Sequence, residues 1–104
     1  LRLKKGDLLS ASSTAHLVGL MIRCETGKQR LKAGVPPGWI FGHKTGTGQD
    51  FNDRTAGYND VSFMVAPDGT TYAVVVQMAD TMVPVPKRME TMQSVSRAVG
   101  AAHQ

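Results

Sequence analysis

Pro67-Asp68-Gly69-Thr70 sits between two runs of alternating or β-branched residues, and this commits the centre of the chain to an antiparallel hairpin. Proline presets φ, aspartate can bond its own turn backbone, and glycine accepts positive φ. In the strand predicted over 60–66, Val61, Phe63 and Val65 alternate with Ser62 and Met64. The strand predicted over 71–79 carries Val74-Val75-Val76. A lone hairpin is at best marginally stable in water, so the flanking sequence must supply another strand and helical cover.

The third strand is predicted over 39–47, with Trp39 and Phe41 on one face and Ile40 on the other. Gly42, Gly46 and Gly48 weaken it as a strand but let another molecule approach its backbone. The polar stretch from Gln49 to Asn59 reads as a loop. Upstream, Ser10 or Ser12 can cap a helix on which Leu17, Leu20, Met21 and Cys24 share a face. Gly27 is its expected stop, a short turn is expected over Gln29 to Ala33, and Gly34-Val-Pro-Pro-Gly38 ends the helical region of about 10–33. Downstream, Pro86 suits a first helical position. Met89, Met92, Val95 or Ser96, Val99 and Ala102 then make an apolar stripe over about 86–102. The expected fold is α+β: an antiparallel sheet of three strands with flanking helices covering one face, residues 1–104 forming a single partial domain. Such a sheet leaves an edge strand open to partner strands.

With 41% hydrophobic and 19% charged residues the chain is globular in composition. Its longest apolar run, Ala73 to Val76, is far too short to span a bilayer. The basic start Leu1 to Gly6 is not followed by an apolar signal-peptide core. Cys24 is the only cysteine, so an intrachain disulfide is excluded and a buried structural thiol is expected. Residues 1–44 carry eight basic side chains against Asp7 and Glu25; residues 45–104 carry four basic against six acidic. The basic residues are scattered without interleaved aromatics, which speaks against nucleic acid and for a modest attraction toward small anions.

The segment Gly42-His43-Lys44-Thr45-Gly46-Thr47-Gly48 holds the candidate chemistry. His43 separates the glycine from the lysine, so a phosphate loop does not fit, and no dinucleotide-binding glycine pattern occurs. Read as a strand, it puts the hydroxyls of Thr45 and Thr47 on one side, available to a ligand carboxylate, and Lys44 on the other. The backbone N–H of Thr47 could serve a developing oxyanion. The competing reading is a glycine-rich edge strand with an exposed lysine.

Lys44-Thr45-Gly46 stands in a wider context: Thr26-Gly27, Arg30-Leu31, Ala33-Gly34 and Pro37-Gly38-Trp39 before it, Asn59-Asp60-Val61 and Pro67-Asp68-Gly69 after it. Together, over residues 8 to 102, these resemble the C-terminal part of the class A serine β-lactamases. The resemblance implies a β-lactam as small-molecule ligand, with Lys44, Thr45 and Gly46 lining the substrate cleft and the Thr47 N–H completing an oxyanion hole. Many members place a carboxylate-binding arginine where Asn59 stands; a subset supplies it at the position of Arg30. A solvated surface arginine is the competing reading for Arg30. His43, where aspartate is common, is expected to be structural. The resemblance further implies a periplasmic or secreted bacterial enzyme that needs no metal or other cofactor, and no membrane partner.

The departures are as informative. No serine here is followed three residues on by lysine, and neither a Ser-Asp-Asn triplet nor a deacylating-glutamate loop is present. The expected partner is therefore an N-terminal remainder carrying the nucleophile, without which this chain is inactive. A penicillin-binding protein portion and a non-catalytic ligand-binding module are the alternatives.

Overall fold

The computed structural model describes residues 1–103. Four strands form one antiparallel sheet: β1 (Ile40–Thr47), β2 (Asp50–Phe51), β3 (Arg54–Val65) and β4 (Thr71–Thr81). The long β3 lies in the middle, pairing with β1 and β2 along one side and with β4 along the other. The β3–β4 hairpin closes at the expected turn, where Gly69 has φ 90° and the Thr70 N–H donates to Asp68 Oδ1 at 2.9 Å.

The sheet has one strand more than the three expected, because the Gln49 to Asn59 stretch is not a loop. Asn52 (φ 51°) and Asp53 (φ 61°) form a two-residue turn with both residues left-handed, joining β2 to an extended β3. Asn and Asp tolerate this conformation, which suits the right-handed twist of a hairpin. Thr55 Oγ1 donates to Asp50 Oδ1 at 2.6 Å across it.

Register assigns the faces. Phe41, His43, Thr45 and Thr47 of β1 stand opposite Met64, Ser62, Asp60 and Tyr58 of β3, which in turn oppose Tyr72, Val74, Val76 and Met78 of β4. Side chains directly opposite share a face. This face carries the core of Leu31, Tyr58, Met64, Val74 and Met92, covered by helix α3 (Val85–Ala102) and the 3₁₀ turn Leu31–Gly34. Burying Met92 completely is worth about 1.5–3 kcal/mol. Ser96 Oγ of α3 donates to Leu31 O at 2.7 Å, and Gln93 Nε2 donates to Gln29 O at 2.7 Å.

The helices do not share one face, contrary to the expectation from sequence. Helix α2 (Ala11–Ile22) lies on the opposite side, near Gly42, where a Cβ would meet the Phe63 ring at 2.5 Å and Ile22 N at 3.2 Å. Helix α1 (Arg2–Lys5) was not foreseen; its side chains join α2 and the sheet around a groove with Phe63, Val61 and Val75. This second face is only partly covered. Val75 is 53% exposed and Leu20 of α2 49%, so the apolar stripe of α2 is not buried within the chain.

Helix ends also moved. Ser10 caps α2, its Oγ accepting from Ser13 N–H, but the helix ends at Ile22. Gly27, expected as its stop, lies beyond it with φ 66°. The expected helical stretch to residue 33 is thus interrupted, and the turn predicted at 29–33 is the 3₁₀ turn at 31–34. In α3, Val85 is the first helical residue and Pro86 follows it, with Pro84 as N-cap. Cys24 is half-buried, its Sγ 3.4 Å from Thr26 Oγ1, and not sealed in a core.

At the far corner, His103 follows α3 and fastens it to the hairpin. Its Nδ1 is 2.6 Å from Tyr72 Oη and its Nε2 is 3.1 Å from Asp68 Oδ2. Trp39 stacks on Tyr72 at 5.9 Å and meets the His103 ring edge-on at 5.3 Å.

Candidate functional site

Strand β1 is an edge strand, and its backbone alternation decides what it offers. Gly48 N–H donates to Gly57 O at 2.7 Å across the sheet, so the N–H of Thr47, one residue earlier, points away from β3. The outer edge therefore presents the Thr47 N–H. Thr45 O lies on the same edge and accepts from Lys44 Nζ. Thr45 and Thr47 project their side chains toward the α3 face, Lys44 toward the other.

Arg30 reaches the α3 face of this strand from just before the 3₁₀ turn, lying over the β1–β3 ladder. Its Nη1 donates to Asn59 O at 2.7 Å and to Gly46 O at 3.2 Å, and its Nη2 donates to Thr47 Oγ1. The guanidinium lies over the Tyr58 ring at 3.8 Å, with Arg88 of α3 also near that ring at 5.2 Å. Arg30 is only 9% exposed, which removes the solvated-surface reading. Among the described residues no carboxylate forms an ion pair with it. A guanidinium with no paired carboxylate, beside a hydroxyl and over the end of an edge strand, is an arrangement that can receive an external carboxylate.

Two further elements set this geometry. Thr26 Oγ1 and Thr45 Oγ1 are 2.8 Å apart, tying the segment after α2 to β1. That approach depends on Gly27, whose left-handed backbone leaves no room for a side chain: a Cβ would stand 2.4 Å from Thr45 Cγ2. Beneath α3 on the same face, His43 and Asp60 are 1% and 0% exposed, with His43 Nδ1 2.9 Å from Asp60 Oδ1. Asp60 Oδ2 accepts the Leu31 N–H at 3.3 Å. Burial pushes the Asp60 carboxyl above its usual range, opposed by the bond to His43 and the charges of His43 and Arg30.

The candidate residues thus gather unequally. Thr45, Gly46, Thr47 and Arg30 form one cluster at the end of β1. Lys44 projects from the other face and is exposed, touching the cluster only where its Nζ donates to Thr45 O. Asn59 contributes its carbonyl to Arg30, and its Nδ2 would be 3.8 Å from a Cβ at Gly46. Sequence reasoning named Gly27 only as a helix stop and, with Thr26 and Asp60, within the wider resemblance, gave none of them a part in the site, and did not name Tyr58. The left-handed backbone expected at Gly27 is present, though beyond the helix; the pairing of Asp60 with Leu31 N–H, across 29 positions, leaves no local signal. Among the described residues no group of three or more His, Cys, Asp or Glu side chains could hold a metal ion. No helix among them is long and apolar enough to cross a membrane.

Residues 1–102 match the β-lactamase enzyme family. The chain belongs to that family. An extended-spectrum β-lactamase of Pseudomonas aeruginosa, PER-1, is 38% identical over 73 residues, covering 70% of this chain and 24% of its own length. The β-lactamase FAR-1 of Nocardia farcinica is 42% identical over 57 residues, 55% of this chain and 17% of that enzyme. Among solved structures, a β-lactamase from Chitinophaga pinensis superposes with a TM-score of 0.92 at 30% identity, covering 99% of this chain and 38% of that one. An ancestral class A β-lactamase gives 0.85 at 33% identity, covering 97% and 37%. The likeness is to the C-terminal portion of class A enzymes, and this β-lactamase-family chain spans well under half the length of these relatives.

Proposed function

We propose that this chain supplies the substrate wall of a class A serine hydrolase that opens β-lactams through an acyl-serine. In this reading Thr45, Gly46 and Thr47 line the cleft along the open edge of β1. Arg30 and the Thr47 hydroxyl receive the β-lactam carboxylate. The outward Thr47 N–H contributes to the oxyanion hole, where a donor aimed at developing charge lowers the barrier. Lys44, on the other face, raises the local potential and steadies a serine of the partner portion. The observation that carries the reading is the meeting of Arg30 with Thr47 at an unpaired strand edge.

The nucleophile and its base come from an N-terminal portion, since no serine here has the required lysine. The complete enzyme would work in the periplasm or as a secreted protein, without metal. The division of labour is tested by giving the purified 104-residue chain a chromogenic cephalosporin. No turnover above buffer is expected. Turnover abolished by a serine-directed acylating agent would place a nucleophile within this chain and overturn the reading.

A further inference from the structure

Asp60 has no solvent exposure, and its oxygens serve two separate elements. Both lie close to His43 Nδ1 of β1, at 2.9 and 3.1 Å, and Oδ2 also accepts the N–H of Leu31 at the head of the 3₁₀ turn. These contacts fall beside the groups of the clamp. His43 precedes Lys44, Leu31 follows Arg30, and Asp60 itself follows Asn59, whose carbonyl receives the Arg30 guanidinium. One carboxylate thereby joins the backbone points from which Arg30 departs and on which it lands.

Burying a carboxylate and an imidazole is costly, and an apolar pair could fill the same volume without that cost. What an apolar pair could not do is direct the Leu31 N–H, and with it the direction of the Arg30 side chain. Nor could it supply negative charge near the guanidinium. Asp60 does so at a distance, since it forms no direct ion pair with Arg30. With Nδ1 given to Asp60, His43 Nε2 is buried and has no partner among the described residues.

We propose that the His43–Asp60 pair is the positioning element of the anion clamp, aiming Arg30 through the Leu31 backbone beside it and providing its countercharge without taking up its N–H groups. The inference rests on the clamp reading above, and the following experiment separates the two. Asp60→Asn keeps the shape of the side chain and removes its charge. Binding of benzoate and the Arg30 Nε–H resonance are followed by NMR in the 104-residue protein. Asp60→Asn is expected to weaken benzoate about tenfold, the scale of one disturbed charge-assisted hydrogen bond, and to speed exchange of the Arg30 Nε–H.

Ser62→Ala is the control. It removes another buried hydrogen bond of β3, from Ser62 Oγ to Val74 O at 2.8 Å, and should lower stability while moving neither readout. His43→Phe keeps a ring beside Phe41 and leaves the Asp60–Leu31 bond. It should shift both readouts less and in the same direction, and it carries the test if Asp60→Asn does not fold. Variants that bind benzoate like the unmodified protein with an unmoved Arg30 resonance overturn the proposal. If the unmodified protein fails to bind benzoate while the variants still move the Arg30 resonance, the positioning role stands and the clamp reading falls.

Discussion

Replacing Gly27 by alanine tests whether the approach of the post-α2 segment to β1 is as tight as the geometry states. Two costs combine. A non-glycine residue at φ 66° loses about 1–2 kcal/mol to left-handed strain. The new Cβ would also stand 2.4 Å from Thr45 Cγ2 and 3.2 Å from Arg30 Cδ. Carbon pairs rest at about 3.5–4.0 Å, so the first contact must open by more than an ångström. Overpacking of this kind costs about 1–3 kcal/mol. Rotating Thr45 to escape breaks its 2.8 Å bond to Thr26, leaving a net loss of about 3 kcal/mol.

The assay is urea unfolding followed by tryptophan fluorescence, with Trp39 as the single reporter. Gly69→Ala is the comparison: φ there is 90°, and a Cβ meets nothing within 4 Å, so it carries backbone strain alone. Gly27→Ala should exceed Gly69→Ala by about 2 kcal/mol. Equal losses at the two glycines would refute the contact between this segment and β1, and with it the support given to Thr45.

Two other outcomes are expected. Thr47→Val removes the hydroxyl that accepts from Arg30 while keeping the side-chain shape; it should weaken benzoate about tenfold by NMR titration and leave the unfolding midpoint nearly unchanged. The Asp68 carboxyl is held below its usual 3.8, first by the Thr70 backbone N–H, then by the Thr70 side chain, with His103 adding less. A depressed carboxyl pKa gives stability that is complete above the unfolded value and lost as pH falls through the folded one. Asp68→Asn should therefore lower the melting temperature at neutral pH and flatten the acid limb below about pH 4; parallel curves would contradict the assignment.

The hairpin was legible because turn chemistry and alternation are local: Pro67-Asp68-Gly69 and the residues around it carry both signals within a few positions. Within the cluster at the end of β1, Thr45 and Thr47 were legible for a different reason, since they lie two apart and any strand puts them together, whereas Arg30 came only from the resemblance. The β2 turn was missed because polarity at Asn52-Asp53 suggested a loop, whereas their tolerance of positive φ makes a tight hairpin. The end of α2 was misplaced because Cys24 continues the helical spacing while its backbone does not. Asp60 looked like a polar residue at the head of a strand. Its burial follows from His43 and Leu31, which meet it only when β1 and the 3₁₀ turn are in place.

The contacts that hold the clamp differ from the hairpin in how far apart along the chain their partners lie. Arg30 reaches Asn59 across 29 positions, and Leu31 reaches Ser96 across 65, while the β3–β4 turn closes within a few residues. Loop-closure entropy must be met before distant contacts return anything, so the hairpin is expected to form before the Arg30 junction, an order that φ-values at Val74 and Arg30 would check. In the proposed reading, the anion clamp is then expected to be completed late in folding. A carboxylate ligand would bind only the fully assembled chain, slowing its unfolding while leaving the rate of hairpin formation untouched.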